Sequence, residues 1–347
     1  MSHPNREGRE RAVELLYEAE AKGIHPAEVI ASLPIAPTPY AGVLAEGVGD
    51  HLELLDHLIG ARARDWTVER MASLDRALLR LGTYELAFEP DQPEGIVLSE
   101  AVELAKRFST DDSPKFVNGV LAAVNDDVRG GGAWRNVSCP LALLMDMDGV
   151  IRHWTGGVTQ FGDEELGLPA GTIRAIALDP DRVRRANDGT ITDEQWRAEV
   201  AAILVDEHGC DPDAVGAAWS HDGFSFDDDV LSLVRAVRAS GTVTVCVSNA
   251  SSRLEADLAD HGVDEAFAAV VNSSRIGIMK PAPGIYELAA AEVGAAPGDC
   301  LFVDDRPENV RGALAIGMPA IRFTTCSRLE ATLRRVGLLP DQPAAAP

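Results

Sequence analysis

The stretch LALLMDMDGV, residues 141–150, is a short apolar run that leads directly into two carboxylates, Asp146 and Asp148. Two like charges at the end of a buried strand need compensation, because each raises the pKa of the other. Similar apolar runs, VTVCV at 243–247 and CLFV at 300–303, recur downstream with amphipathic helices between them. This alternation predicts an α/β domain with a doubly wound, parallel sheet.

Polar side chains follow each of these apolar runs, and a lysine precedes one of the intervening helices. In open α/β sheets, ligands bind beyond the carboxyl ends of the strands, so we expect these side chains to share one crevice. They are Asp146, Asp148, Ser248, Lys280, Asp304 and Asp305. Four carboxylates predict a divalent cation, and Mg²⁺ fits best because it prefers oxygen ligands. The hydroxyl and the ammonium suit a small phosphorylated substrate, with one aspartate free to attack phosphorus.

The order of these motifs, D-x-D-G-V, Ser-Asn, Lys-Pro and D-D-x-x-x-N, resembles the haloacid dehalogenase (HAD) superfamily of phosphohydrolases over about residues 141–325. The resemblance implies a Rossmann-like domain with phosphatase activity. It also implies that Asp146 is the nucleophile that forms an aspartyl-phosphate. Asp148 would protonate the leaving oxygen and later deprotonate the attacking water, and its presence favours phosphoryl transfer over dehalogenation.

The same resemblance assigns the other residues of the crevice. Ser248 and Lys280 would bind the phosphoryl group. Asp305, together with Asp304, would complete the Mg²⁺ site, and Asn309 would lie nearby. The helical insertion that follows the first motif resembles the cap that such phosphatases close over the substrate.

Residues 1–128 show helical periodicity in place of alternating strands. REGRERAVELLYEAEAKG puts Val13, Leu16 and Tyr17 on one face and should end at Gly23. Comparable patterns follow along this half of the chain. They predict an all-α domain of six or seven helices with short loops.

The segment LSEAVELAKRFSTDDSPKFVNGVL at 98–121, with LDRALLRLGTYEL and RERAVELLY, resembles the transcription antitermination factor NusB over nearly all of residues 5–128. The resemblance implies regulation of transcription through binding of boxA, a single-stranded RNA element of ribosomal RNA leaders, together with the ribosomal protein NusE. In that family, N-terminal arginines and the KFVN motif touch RNA. The matching positions are Arg6, Arg9, Asp112, Lys115, Phe116 and Asn118.

The chain carries a net charge of −24 and is therefore repelled by polyanions at long range. Any contact with RNA must be a local patch that a partner assists. The N-terminal arginines Arg6, Arg9 and Arg11 are interrupted by Glu7 and Glu10. Each lost phosphate contact lowers the affinity and its salt dependence.

The domain organisation follows from these patterns. We expect a NusB-like RNA-binding domain at 1–128, a glycine-rich linker at 129–140 and a HAD-like domain at 141–335 with a cap at about 156–225. Residues 336–347 would form a tail. The five cysteines show no CxxC spacing, and the chain has neither a signal peptide nor a membrane-spanning run, so we expect a cytoplasmic protein with reduced thiols.

Two functions remain open for the whole chain. One is an antitermination-type RNA-binding factor with a phosphatase appended, which the complete KFVN segment favours. The other is a metabolic phosphatase whose helical domain has lost RNA binding, which the interrupted arginine run favours.

Overall fold

The structure is a computed structural model that describes residues 5–63, 66–130, 134, 140–154, 162–218 and 223–340. The chain forms two compact units. The helical unit comprises Met1–Pro140 and Gly317–Pro347, and the α/β unit comprises Leu141–Ile316. The domain boundaries expected from the sequence stay a prediction. Most of the expected linker and residues 341–347 of the expected tail lie outside the described residues.

The described residues between 5 and 130 form seven α-helices, which confirms the predicted all-α domain. They are α1 (Arg6–Lys22), α2 (Pro26–Ser32), α3 (Pro39–Asp50), α4 (Leu52–Arg62), α5 (Ser73–Phe88), α6 (Glu94–Phe108) and α7 (Ser113–Val128). Helix α1 ends where the sequence predicts. Gly23 adopts a left-handed φ of 66°, and its N–H bonds to the carbonyl oxygens of Ala19 and Glu20.

Helix α5 forms the centre of the helical core and packs against α1, α6 and α7. On α1, Val13 and Leu16 are buried as predicted. Tyr17, predicted on the same face, is 49% exposed, and Leu15 is buried instead. Either residue can border an apolar stripe of period 3.6, so packing against neighbouring helices decides between them.

The strands are β1 (Ala142–Met145), β2 (Arg152–Trp154), β3 (Phe224–Phe226), β4 (Val243–Ser248), β5 (Ala269–Asn272), β6 (Cys300–Asp304) and β7 (Ala320–Arg322). Five of them form a sheet in the order β5-β4-β1-β6-β7. Strand β1 pairs in parallel with β4 and β6, and β4 pairs in parallel with β5. The three apolar runs of the sequence are thus the three central strands, which confirms the predicted α/β fold.

The remaining helices are α8 (Thr172–Ala177), α9 (Pro180–Asn187), α10 (Asp193–Asp206), α11 (Pro212–Ala218), α12 (Asp228–Ala239), α13 (Leu254–Asp260), α14 (Ser273–Ile276), α15 (Pro283–Ala291), α16 (Pro307–Ala315) and α17 (Cys326–Arg335). Helices α8 to α11 fall in the predicted cap, and α8, α10 and α11 contribute to an apolar cluster that includes Ile173, Val200 and Leu204. Residues 155–161 and 219–222, towards the two ends of that cap, lie outside the described residues.

Strands β2 and β3 form a small antiparallel sheet in which Arg152 lies opposite Phe226 and Trp154 lies opposite Phe224. The sequence does not predict this pair, because each strand has only three residues. None of the described helices has the length and apolar character needed to cross a membrane.

Candidate functional sites

The carboxyl ends of three parallel strands bring three predicted site residues together. Asp146 follows β1 directly, Ser248 is the last residue of β4, and Asp304 is the last residue of β6. The strands are in register at this edge, since Met145 lies opposite both Cys246 and Val303. All three side chains are buried.

Lys280 enters this cluster and binds two carboxylates. Its Nζ lies 2.6 Å from Oδ1 of Asp146 and 2.7 Å from Oδ2 of Asp304, and it donates to the carbonyl oxygen of Val247 at 2.8 Å. Asn249 holds the Lys280 backbone by two hydrogen bonds. Its side chain accepts from the Lys280 N–H at 2.7 Å and donates to the Lys280 carbonyl oxygen at 2.9 Å. The ammonium is therefore fixed between the two carboxylates.

The electrostatics of the cluster reflect its burial. Burial raises the pKa of Asp146 to about 8, although the Lys280 ammonium opposes this shift. Burial acts to lower the pKa of Lys280, but the Asp146 and Asp304 carboxylates raise it above its ordinary value. Asp304 is anchored further, because Asn309 Nδ2 donates to both of its oxygens at 3.0 Å and the Arg306 N–H donates to Oδ1 at 2.9 Å.

Among the residues that the structure describes, Asp146 and Ser248 each have a polar atom that remains available to a ligand. On Asp146, the Lys280 ammonium and the Met147 N–H both bind Oδ1, and within the described residues Oδ2 receives no hydrogen bond. Ser248 Oγ is buried and has no hydrogen-bond partner among the residues that the structure describes. A buried polar atom without a partner costs about 1–3 kcal/mol, which a ligand oxygen would recover.

The residues present fit a divalent cation. Asp146, Asp304 and Asp305 each offer a carboxylate oxygen, and these atoms lie within 4.8 Å of one another. The Lys280 ammonium contributes one positive charge against this group of three carboxylates. Burial and the Asp304 carboxylate raise the pKa of Asp305. Gly149, with a φ of 88°, makes room for Asp305, because a Cβ there would come within 2.4 Å of Oδ2. Oxygen ligands with excess negative charge favour Mg²⁺.

The Asp148 carboxylate is not among these three clustered carboxylates, and its role as a metal ligand stays a prediction. Arg152 binds it through two hydrogen bonds, Nε to Oδ1 at 2.7 Å and Nη2 to Oδ2 at 3.0 Å. Trp154 donates its indole N–H to Oδ1 at 2.9 Å. Arg152 is buried and also binds Asp257 at 3.0 Å.

In the helical unit, the cations Arg6, Lys106 and Arg107 line a cavity of about 270 Å³ together with Glu10 and Glu103. Each of these cations has a carboxylate partner, which weakens its attraction for an anion. The ion pairs are Arg6–Glu100, Lys106–Glu103 and Arg107–Glu10. We call this surface the basic groove.

Arg9 does not lie on an exposed surface, which corrects its prediction as an RNA contact. Its side chain is 1% exposed. Nε lies 3.0 Å from both carboxylate oxygens of Glu85, and Nη2 lies 2.6 Å from Oε1. The Tyr40 hydroxyl donates to the same Oε1 at 3.0 Å. A guanidinium in a buried ion pair cannot meet an RNA phosphate without disrupting the packing of α1 on α5.

The loop before α7 is anchored to α5 by the buried Asp75. The hydroxyls of Ser109 and Ser113 donate to its two oxygens at 2.6 and 2.8 Å. This loop and the first turns of α7 carry the four remaining predicted RNA-binding positions. Asp112, Lys115 and Asn118 are exposed, and Phe116 is half-buried.

Sequence reasoning missed three residues of these sites. Lys106 and Arg107 belong to the basic groove, and their signal was the Lys-Arg pair within the NusB-like segment. Arg152 holds Asp148. Its signal, an arginine four residues after the aspartate, is weak without knowledge of the turn between them.

Comparison with known proteins assigns a family to each part of the chain. Residues 6–126 match the model of the NusB family, and residues 141–317 match the model of the haloacid dehalogenase-like hydrolases. The transcription antitermination protein NusB of Kineococcus radiotolerans is 42% identical over 123 residues, which is 34% of this chain and 90% of that protein.

Solved structures are also similar to parts of the chain. A structure of T. maritima NusB has 31% sequence identity and a TM-score of 0.34, and the match covers 37% of this chain and 94% of that one. A HAD family enzyme from Bacteroides thetaiotaomicron, in complex with magnesium and inorganic phosphate, has 19% identity and a TM-score of 0.44. That match covers 53% of this chain and 93% of the other.

Proposed function

We propose that this chain joins an RNA-binding domain to a Mg²⁺-dependent phosphatase. The chain belongs to the NusB family over residues 6–126 and to the haloacid dehalogenase-like hydrolases over residues 141–317. The phosphatase acts on small phosphoric monoesters through an aspartyl-phosphate. The helical domain binds boxA-type single-stranded RNA together with NusE. In this proposal the domains comprise 1–128 and 141–335, with the cap at about 156–225.

The buried Ser248 hydroxyl carries the phosphatase proposal. It has no hydrogen-bond partner among the described residues, and it ends the strand next to Asp146. A phosphoryl oxygen would supply that partner. Lys280, fixed beside Asp146, offers a positive charge to the same group. A hydroxyl, an ammonium and a carboxylate with one unbound oxygen together suit transfer of a phosphoryl group.

The proposed reaction has two steps. Asp146 Oδ2 forms a bond to phosphorus while the bond from phosphorus to the leaving oxygen breaks, and Asp148 gives that oxygen a proton. Water then attacks phosphorus, Asp148 takes its proton, and the bond from phosphorus to Asp146 breaks. Inorganic phosphate and the free carboxylate result. Mg²⁺ would be held by Asp146, Asp304 and Asp305, and when bound it would neutralise charge on the phosphoryl oxygens.

Removal of the cation should abolish turnover. We expect the chelator EDTA to eliminate hydrolysis and added Mg²⁺ to restore it. Asp305→Ala removes one of the three clustered carboxylates, so the Mg²⁺ concentration for half-maximal turnover should rise by at least about 10-fold. Calorimetric titration of the protein with Mg²⁺ should show the same loss of affinity without substrate.

Glu265→Gln is the matched control, since Glu265 is an exposed acidic residue of the α/β unit that is not one of the three clustered carboxylates. Its Mg²⁺ requirement should equal that of the wild type. Full activity in excess chelator would mean that the carboxylates are not there to hold a cation.

The basic groove and the anchored loop before α7 support the RNA-binding proposal. Arg6, Lys106 and Arg107 line one cavity, and Lys115 and Asn118 are exposed on α7. Because the groove cations are already paired with glutamates, we expect weak binding by this chain alone and tighter binding with NusE. The alternative, a metabolic phosphatase whose helical domain has lost RNA binding, is favoured by the burial of Arg9.

Substitutions in the KFVN segment should separate stacking from charge. Phe116→Ala should weaken binding of a labelled boxA-type strand by about 5–150-fold, because base stacking on an aromatic ring is worth about 1–3 kcal/mol. The salt dependence of RNA binding by Phe116→Ala should equal that of the wild type. Lys115→Ala should make the slope of log K against log salt shallower by about 0.7 if it meets one phosphate. Titrations of the full chain at two salt concentrations, with and without NusE, measure both quantities.

Arg70→Ala is the control for a general charge effect, since Arg70 is an exposed arginine of the helical unit that lies outside the basic groove and the KFVN segment of α7. It should leave affinity and slope unchanged. Absence of any complex, even with NusE at low salt, would favour the alternative function.

A further inference from the structure

A solvent-exposed indole lies directly beside the proposed general acid. Trp154 is 60% exposed, yet three contacts fix its ring. Its Nε1–H donates to Oδ1 of Asp148 at 2.9 Å. The Arg152 guanidinium carbon lies 4.9 Å from the indole centroid, and Phe224 meets the indole edge-on at a centroid distance of 5.4 Å. A large apolar ring that is held in place while open to solvent is suited to contact a ligand.

The position of the indole is set by the fold beneath it. Arg152 is 3% exposed and is bound on two sides, by Asp148 and by Asp257. The antiparallel register of β2 and β3 places Trp154 opposite Phe224. The indole therefore cannot leave Asp148 without breaking its hydrogen bond and its packing on Arg152 and Phe224.

The role proposed for Asp148 brings the leaving group to this ring. A general acid must come within about 2.6–3.2 Å of the oxygen that it protonates. Since the indole N–H already binds the Asp148 carboxylate, the atoms attached to the leaving oxygen have to lie next to Trp154. We propose that Trp154 is a specificity-determining residue, a role that rests on the proposed phosphatase function. It selects phosphoric monoesters with a planar aromatic leaving group.

The surroundings of the indole favour a neutral aromatic ring over a cationic group. The Arg152 guanidinium already lies over the ring of Trp154 and engages its electron-rich face. A second cation on the opposite face would meet a ring polarised by the first. A planar aromatic ring can instead stack on the indole in the offset arrangement that aromatic pairs prefer.

The test compares kcat/KM for phenyl and naphthyl phosphate with that for hexafluoroisopropyl phosphate, whose alcohol is similarly acidic but not planar. Wild-type protein should prefer the aryl substrates. Trp154→Ala should lower the aryl-to-alkyl ratio by about 10-fold. Trp154→Phe keeps a ring but loses the hydrogen bond to Asp148. It should slow all three substrates together and keep the ratio within about 3-fold of wild type.

Trp66→Ala is the matched control, because Trp66 is 53% exposed in the helical unit. It should change neither the rates nor the ratio. A ratio that is unchanged in Trp154→Ala, with all substrates slowed equally, would overturn the inference and leave Trp154 as a positioning residue for Asp148. Wild-type protein that hydrolyses none of these monoesters, nor any other in a broader panel, would overturn the proposed function itself.

Discussion

Asp146→Asn is expected to lower kcat by at least about 10³-fold toward any phosphoric monoester that the wild-type protein hydrolyses. The amide is too weak a nucleophile to form a bond to phosphorus, and Asp146 Oδ2 is the atom to which the proposed reaction assigns that bond. The fold should persist. Burial raises the pKa of Asp146, which means that its charge is unfavourable in the folded state, and Lys280 keeps its contact with Asp304 at 2.7 Å. Steady-state kinetics and thermal unfolding measure the two effects.

Asp127→Asn is the control for loss of an aspartate as such. Asp127 is 7% exposed and pairs with Arg62 in the helical unit. This variant should keep wild-type kcat, although its unfolding temperature is expected to fall. Turnover by Asp146→Asn within about 10-fold of wild type would remove Asp146 from the role of nucleophile.

Arg9→Met is expected to destabilise the helical unit by about 3–5 kcal/mol, because it leaves the Glu85 carboxylate buried without its cation. Glu85 is 2% exposed, and among the described residues only the Tyr40 hydroxyl would remain as a donor to its carboxylate. Hydrogen exchange in peptides from α1 and α5 of the full chain should accelerate by at least about 100-fold. Exchange in β1 and β4 should change little.

Two further variants show whether the pair itself is responsible. The double variant Arg9→Met with Glu85→Met replaces both charges by apolar groups and should recover much of the protection. Arg11→Ala breaks an exposed pair with Glu14 and should have almost no effect. If Arg9→Met exchanged like the wild type but bound RNA more weakly, Arg9 would be an RNA contact after all.

The sequence predicts the architecture well because the determining patterns are local. Apolar runs that end in polar side chains mark the central strands, and the parallel sheet then brings their ends together. Asp146, Ser248 and Asp304 therefore cluster as expected, and Lys280 joins them. Gly23 ends α1 because its left-handed φ suits a helix end.

The features that the sequence does not predict depend on contacts between residues far apart in the sequence, or on short elements with little sequence pattern. Arg9 looks like a surface arginine until α5 places Glu85 against it. Asp148 looks like a member of the carboxylate cluster. Its orientation is decided by a tight turn, in which the Arg152 N–H donates to the Met147 carbonyl oxygen at 2.7 Å and brings the guanidinium to Asp148. Neither the turn nor the three-residue strand that follows has a clear sequence signal.

The most direct test of the central claim is chemical trapping of the covalent intermediate. The full chain is mixed with Mg²⁺ and a monoester that it hydrolyses, quenched within one turnover, and treated with borohydride, which reduces an acyl phosphate to an alcohol. Mass spectrometry of the peptides then locates the reduced side chain. The proposed mechanism predicts reduction at Asp146 alone, dependent on substrate and lost in Asp146→Asn. Reduction at another carboxylate, or steady turnover without any trapped acyl phosphate, would contradict it.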